Sequence, residues 1–198
     1  MKIILASNSP RRKELLAAIE TDFEVRTLQG IDETYPQGLT MTGIPEHISS
    51  HKAAAYALGE DELLIAADTI VYLEGEVLGK PANAKEATSM LRKLSGKTHH
   101  VITGVTLRTL ERTRTFSCVT EVTFTELTKE QIKHYVDHYA PFDKAGAYGI
   151  QEWIGYVGVT SINGSFYNVM GLPVQRLNQE LRAFINNETD SFVDNFIY

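Results

Sequence analysis

Cysteine is nearly absent from this chain of 198 residues, because Cys118 is the only one. A single thiol can form neither a disulfide within the chain nor a cysteine-based metal site. Long apolar runs are lacking too, and no window approaches the roughly 18 apolar residues that a membrane-spanning helix needs. The opening "MKIILASNS" has an apolar part of four residues, which is too short for a signal peptide. We therefore expect a cytoplasmic protein without a membrane segment.

A basic excess is also lacking. The 25 acidic residues outnumber the 19 basic ones, which gives a net charge of −6. Proteins with an extended nucleic-acid surface usually carry the opposite balance, so we expect no such surface, although a local basic pocket remains compatible with this charge. Without internal repeats or low-complexity segments, the length predicts a single domain spanning residues 1–198, with room for two lobes.

Hydrophobic patterning predicts strands and helices in mixed order. The strands are expected at 2–6, 23–29, 62–73, 100–110 and 113–127, and the helices at 10–19, 45–58, 83–96, 128–139 and 172–185. Polar and apolar residues alternate in the fifth strand, which indicates an antiparallel pair with its predecessor. The class predicted is therefore α/β with a mixed sheet.

The stretch "SNSPRRK" places cations where a helix begins. Ser9 is a typical N-cap and Pro10 suits the first helical position. Arg11 and Arg12 then fall in a turn where the helix macrodipole favours acids. A bound anion resolves this conflict, because helix N–H groups, arginine forks and the Ser7 hydroxyl all match phosphate oxygens. The alternative is a solvated basic helix start with an ordinary cap.

Asp68 is the one acid in the apolar run "LLIAADTIVYL". A buried carboxylate is costly unless it is paired, hydrogen-bonded or bound to a metal. A strand that simply ended at Ala67 would leave Asp68 solvated, but Ile70 and Val71 continue the apolar pattern. The run therefore favours a functional carboxylate.

Other polar residues are weaker signals when taken alone. Lys52 lies in a predicted helix and Glu33 in a polar loop, where surface positions are common. Lys80 precedes Pro81, which restricts its backbone to extended conformations. The glycines of "DKAGAYGIQ" permit close approach to a ligand beside Gln151, or form a plain turn. His134 and His138 have helical spacing, but no further ligand pattern accompanies them.

Several segments occur together in one order: "SNSPRRKELL", "SHKAAA", "AADTIV", "LGKP", "LSGKTHHVITGV", "DKAGAYGIQ" and "GSFYNVMGLPV". In this order they resemble the Maf family of nucleoside triphosphate pyrophosphatases, from Ser7 to about Val174. The stretch "GAYGIQ" is similar to the subfamily that acts on dTTP and UTP, and differs from the sister subfamily that acts on 7-methyl-GTP.

The resemblance implies a Maf/inosine-triphosphatase-like fold, with an elongated mixed β-sheet, flanking helices and a cleft between two lobes. It implies a hydrolase of nucleotide metabolism that converts a nucleoside triphosphate to the monophosphate and pyrophosphate. A divalent metal cation, Mg²⁺ or Mn²⁺, is implied as cofactor, and homodimers are frequent in the family.

The resemblance also assigns roles to residues. Asp68 matches the proton acceptor, and Glu33 matches a polar residue of the family's cleft. Since carboxylate oxygens suit Mg²⁺ or Mn²⁺, the pair Glu33 and Asp68 would hold the metal. The other residues that match the family's substrate cleft are Ser7, Arg11, Arg12, Lys52, Thr69, Lys80 and Gln151, of which Arg11, Thr69 and Gln151 are linked to substrate choice. The chain departs from the family at His47, where an arginine is common, and after Asn186, where no family motif follows.

Two other functions remain open from the sequence. One is a regulator of septum formation that binds phosphate or nucleic acid without catalysis, although such a protein gains nothing from Asp68 near its anion. The other is a pyrophosphatase for ITP or 7-methyl-GTP.

Overall fold

Seven strands form one mixed sheet in the computed structural model, which describes residues 1–186. Their order is β2-β1-β3-β5-β6-β7, and β4 pairs with β3 off this path. β1 runs parallel to β2 and β3, whereas the other pairs are antiparallel. The strands are β1 Lys2–Leu5, β2 Phe23–Val25, β3 Glu62–Leu73, β4 Glu76–Leu78, β5 Thr98–Arg108, β6 Thr113–Phe124 and β7 Val159–Asn163. The mixed α/β class predicted from the sequence is confirmed.

Seven α-helices flank the sheet within residues 1–186. They are α1 Pro10–Ala17, α2 Gly43–Ala54, α3 Ala84–Leu94, α4 Lys129–Tyr139, α5 Trp153–Gly158, α6 Phe166–Met170 and α7 Val174–Ile185. No helix in this part of the chain is long and apolar enough to cross a membrane.

Local capping residues explain where these helices begin. The side chain of Ser9 accepts the N–H of Arg12 at the start of α1. Thr128 and Gln131 form a capping box at the start of α4, in which each side chain accepts the other residue's backbone N–H. Such caps satisfy N–H groups that the first turn leaves unpaired.

The central strand β3 is covered on both faces, which explains its long apolar run. Leu64 and Ala66 pack toward α2 in a cluster with Ala53. Their neighbours Leu63 and Ile65 point to the other face, against residues of α1 and α7. Because side chains alternate along a strand, Asp68 lies on the α2 face and Thr69 on the opposite face.

One edge of β3 has a gap at the middle of the strand. β1 pairs with β3 as far as Ile65, and β4 pairs with it only from Val71 onward. No strand of residues 1–186 pairs with positions 66–70 on this edge, while β5 pairs along the other edge. The sheet is therefore open beside Asp68.

The structure differs from the predicted elements in several places, among them β4, which is not one of the predicted strands. The strand predicted at 23–29 is limited to Phe23–Val25, and the helix predicted at 45–58 is Gly43–Ala54. Between the fourth and fifth predicted helices the sequence predicts a glycine-rich loop and a last strand, whereas the structure has the short helices α5 and α6 there on either side of β7. The apolar tail, which the sequence suggests packs on the body or on a partner, lies outside the described residues from 187 onward.

Candidate active site

A cleft opens at the gap in the sheet, as two adjoining hollows that share Arg11, Arg12, Lys52 and Lys80 as lining residues. All nine predicted site residues line it. The hollow against β3 adds Asp68, Thr69 and Gln151, and the hollow against the β1–α1 loop adds Ser7 and Glu33. The structure thus brings together residues that lie as much as 144 positions apart, from Ser7 to Gln151.

Lys52 joins the two carboxylates predicted as metal ligands. Its Nζ lies 2.7 Å from Oδ1 of Asp68 and 2.8 Å from Oε1 of Glu33. Asp68 is only 9% exposed, so an unpaired carboxylate here would be costly, and the ion pair offsets that cost. Oδ2 of Asp68 has no hydrogen-bond partner within residues 1–186 and is the oxygen left for a ligand or water.

Gly104 allows α2 to bring Lys52 to Asp68. On β5 it lies opposite Asp68, and a Cβ at this position would be 2.3 Å from the carbonyl carbon of Pro45. The backbone of α2 therefore rests directly on the sheet here. Lys52 follows Pro45 by two helical turns on the same helix face.

The pKa of Glu33 is affected by the cations of the cleft. Burial alone would raise the pKa of this carboxyl, but the hydrogen bond and charge of Lys52, followed by the charges of Lys80 and Arg12, outweigh burial, so the pKa is lowered. Glu33 is therefore an anion at neutral pH.

Arg12 is held by backbone and side-chain acceptors on three sides. Its Nε donates to the Gly171 carbonyl at 2.8 Å, Nη1 to the Ala67 carbonyl at 2.9 Å, and Nη2 to Oγ1 of Thr69 at 3.1 Å. Burial, and to a lesser degree the charge of Arg11, lowers the pKa of Arg12, against the raising effect of Asp68 and Glu33. Arg12 therefore bridges the open edge of β3 and joins α1 to the end of α6, in addition to lining the cleft.

Gln151 carries an unsatisfied polar atom. Its Oε1 is buried and has no hydrogen-bond partner in the described part of the chain. A buried acceptor without a donor is costly and needs an explanation. Because Gln151 lines the cleft, a ligand donor is the natural partner of this oxygen.

Sequence reasoning missed two charged residues of the cleft, Asp143 and Lys144. Asp143 bridges the two cations, with Oδ2 at 2.9 Å from Nη1 of Arg11 and Oδ1 at 2.7 Å from Nζ of Lys144. Lys144 is only 8% exposed. The signal was an adjacent acid and base directly before a glycine-rich turn, in a segment already singled out for its glycines.

The residues present fit a hard divalent cation in donor type. Mg²⁺ is usually bound through one or two carboxylates together with substrate phosphates, and Glu33 and Asp68 supply two carboxylates. Within residues 1–186 no group of three or more His, Cys, Asp and Glu side chains is arranged to hold a metal, so substrate oxygens would have to complete the coordination. His99 is no candidate, because it is buried with its Nε2 2.7 Å from the Tyr148 hydroxyl.

The fold is that of a known class of solved structures. The Ham1 protein of Staphylococcus aureus superposes with a TM-score of 0.54 and 16% sequence identity, over 96% of this chain and 100% of that one. This likeness concerns the fold alone.

The sequence match is more specific. Residues 2–184 match the family model described as Maf-like protein, and the chain belongs to that family. It is 61% identical over 183 residues to the dTTP/UTP pyrophosphatase of Phocaeicola vulgatus, covering 91% of this chain and 95% of that protein. It is 57% identical over 183 residues to the dTTP/UTP pyrophosphatase of Bacteroides thetaiotaomicron, with the same coverage.

Proposed function

We propose that this protein hydrolyses dTTP and UTP to the nucleoside monophosphate and pyrophosphate. The observation that carries the proposal is Asp68, a nearly buried carboxylate paired with Lys52 in a cleft lined by further cations. The names of the two bacterial relatives support the choice of substrates. The sister activity on ITP or 7-methyl-GTP and the non-catalytic regulator are the competing functions.

The charges of the cleft suit a triphosphate. The substrate is highly anionic, and more negative charge develops on its leaving group during hydrolysis. The cations that line the cleft are preorganised to stabilise this charge. They are Arg11, Arg12, Lys52 and Lys80.

Asp68 is placed to act as general base. Lys52 holds Oδ1, which fixes the carboxylate and leaves Oδ2 to accept a proton from water as it attacks the α-phosphorus. General bases of this kind contribute about 10²–10⁴-fold to a rate. Glu33 and Asp68 would hold the divalent cation, which supplies charge neutralisation and polarisation of a phosphoryl oxygen.

The unsatisfied oxygen of Gln151 fits the base of the proposed substrates. Uracil and thymine carry an N3–H donor beside a carbonyl oxygen, whereas cytosine has a bare N3 acceptor at that position. Oε1 of Gln151 would accept the N3–H, and its NH₂ group would donate to the adjacent carbonyl. This pairing predicts weak activity on CTP.

The proposal also includes the compartment and the oligomeric state: the protein acts in the cytoplasm and forms a homodimer. Exposed aromatic residues at α5 and α6 support the second point, since Tyr156 is 82% and Tyr167 is 50% exposed, and exposed apolar patches commonly mark interfaces. Light scattering after size exclusion measures the mass in solution. A monomer at all concentrations would contradict the dimer without affecting the catalytic proposal.

A nucleotide panel tests the function. Purified protein with Mg²⁺ is incubated with dTTP, UTP, CTP, GTP, ITP and 7-methyl-GTP, and pyrophosphate is measured. We expect the highest turnover with dTTP and UTP. Preference for ITP or 7-methyl-GTP would reject the substrate assignment, and no turnover of any nucleotide would favour the non-catalytic regulator.

A further inference from the structure

A chain of hydrogen bonds and ion pairs between side chains runs from α4 to the cleft. Tyr135 of α4 is fully buried, and its hydroxyl donates to Oε2 of Glu152. The other carboxylate oxygen of Glu152 lies 3.1 Å from Nζ of Lys144. Lys144 contacts Asp143, which in turn accepts from Nη1 of Arg11 at 2.9 Å. The chain therefore connects the core beneath α4 to a cation of the cleft.

The same tyrosine holds the backbone before Gln151. The Tyr135 hydroxyl accepts the N–H of Gly149 at 2.9 Å while it donates to Glu152. Burial, and then the hydrogen bond to Glu152, raises the pKa of Tyr135, so the hydroxyl keeps the proton that it donates. Gln151 thus lies between two residues, Gly149 and Glu152, that one buried hydroxyl fixes.

Gly149 shows how closely this segment is packed. A Cβ at this position would lie 2.9 Å from Cδ of Glu152 and 3.1 Å from Nε2 of Gln151. Both side chains therefore have their ends over Gly149. The Tyr135 hydroxyl, which holds the Gly149 N–H and Glu152, thus fixes the segment beside which the Gln151 amide lies.

We propose that Tyr135, Glu152 and Lys144 are positioning residues that set the nucleotide selectivity of the cleft. They act through the Gln151 amide and the Arg11 guanidinium rather than by touching the nucleotide base. The proposal rests on the pyrophosphatase function proposed above. Its physical basis is that directional hydrogen bonds to a base discriminate only when the supporting groups hold them within a fraction of an ångström.

The Tyr135→Phe variant tests the proposal, because it removes the hydroxyl that donates to Glu152 and accepts from Gly149. We expect KM for dTTP and UTP to rise about tenfold, with a smaller change in kcat. The preference for dTTP over CTP, as a ratio of kcat/KM values, should fall at least about threefold. Glu152→Gln keeps the shape of the side chain, but only one of its two terminal atoms can accept a hydrogen bond. It should therefore shift selectivity in the same direction. If Tyr135→Phe does not fold, Glu152→Gln is the variant that tests the proposal.

Ser95→Ala is the matched control. The Ser95 hydroxyl accepts the N–H of Leu127 at 2.7 Å, so this variant also loses a hydroxyl that holds a backbone amide, at a residue that does not line the cleft. It should lower the melting temperature without changing the dTTP to CTP ratio. A Tyr135→Phe enzyme that is less stable but keeps the wild-type ratio overturns the proposal.

Fluorescence separates this proposal from the proposed function. Trp153 is the only tryptophan of the chain and directly follows Glu152. Acrylamide should quench Trp153 more strongly in Tyr135→Phe and Glu152→Gln than in wild type or Ser95→Ala. Unchanged quenching contradicts the positioning role, whereas a wild-type protein that turns over no nucleotide contradicts only the proposed function.

Discussion

Asp68 and Gly104 face each other across β3 and β5, and the space that the glycine leaves is filled by the backbone of α2 at Pro45. This contact sets the height of α2 above the sheet. It therefore also sets the distance between Nζ of Lys52 and Oδ1 of Asp68, which is 2.7 Å. A residue without any reactive group thus controls the central ion pair of the cleft.

Gly104→Ala should disturb both fold and activity. The new methyl group would lie 2.3 Å from the Pro45 carbonyl carbon, so α2 must move away from the sheet and carry Lys52 with it. We expect a loss of about 3 kcal/mol in unfolding free energy and reduced kcat, measured by chemical denaturation and pyrophosphate release.

Gly59→Ala is the control for this change. Its added Cβ would meet ordinary contacts at 3.7 Å, so we expect stability within about 0.5 kcal/mol of wild type. A Gly104→Ala protein that matches Gly59→Ala in stability and turnover would show that α2 does not rest on the sheet as described.

Arg12→Lys should destabilise the protein while keeping the positive charge. An ammonium cannot reproduce the forked contacts to Gly171, Ala67 and Thr69, and buried carbonyl groups would lose their donors. We expect the free energy of unfolding to fall by about 3 kcal/mol. Adding nucleotide should raise the melting temperature of this variant less than that of wild type. Lys13→Ala, in the same helical turn, should change stability by less than about 0.5 kcal/mol, and equal stability of the two variants would contradict this role of Arg12.

Gln151→Ala should change selectivity without loss of stability. The variant removes a buried oxygen that has no partner in residues 1–186, so unfolding free energy should stay constant or rise by up to about 1 kcal/mol. The ratio of kcat/KM for dTTP over CTP should fall, whereas exposed Gln179→Ala should change neither quantity. A destabilised Gln151→Ala protein with unchanged selectivity would mean that this side chain serves the fold.

His99 should make stability depend on pH. Burial lowers the pKa of His99 to about 4 in the folded protein, from its ordinary value of 6.5. Between pH 4 and 6.5 the unfolded chain therefore binds one more proton than the folded protein. The contribution of His99 to the free energy of unfolding is fully present above pH 6.5. It falls by about 1.4 kcal/mol per pH unit as the pH drops toward 4.

Denaturation curves of His99→Gln and wild type between pH 4 and 7 measure this contribution, because glutamine does not titrate but can still bond to Tyr148. The difference between the two proteins should vary with pH over this window. Parallel curves for wild type and His99→Gln would refute the assignment.

The long elements and their caps were predictable from local sequence. The apolar run of β3, the Thr128 cap and the antiparallel pair β5–β6 are each encoded within a few neighbouring residues. The short helices α5 and α6 were not predicted, because helices of six and five residues carry too little periodicity and depend on tertiary packing.

The cleft was predicted through the combination of motifs, and its internal contacts were not. The ion pair of Lys52 with Asp68 and Glu33 joins three separate segments, and no local pattern encodes such pairing. The backbone acceptors of Arg12 are invisible in a sequence for the same reason. No sequence pattern singles out Tyr135 within α4, because burial and hydroxyl pairing are tertiary properties.

The most direct test of the central claim is hydrolysis of dTTP in ¹⁸O-labelled water with mass analysis of both products. Attack of water on the α-phosphorus, with Asp68 accepting the proton, predicts one ¹⁸O in thymidine monophosphate and none in pyrophosphate. Asp68→Asn should bind dTTP but lose about 10²–10⁴-fold in rate. Label in the pyrophosphate, or full activity of Asp68→Asn, would contradict the account.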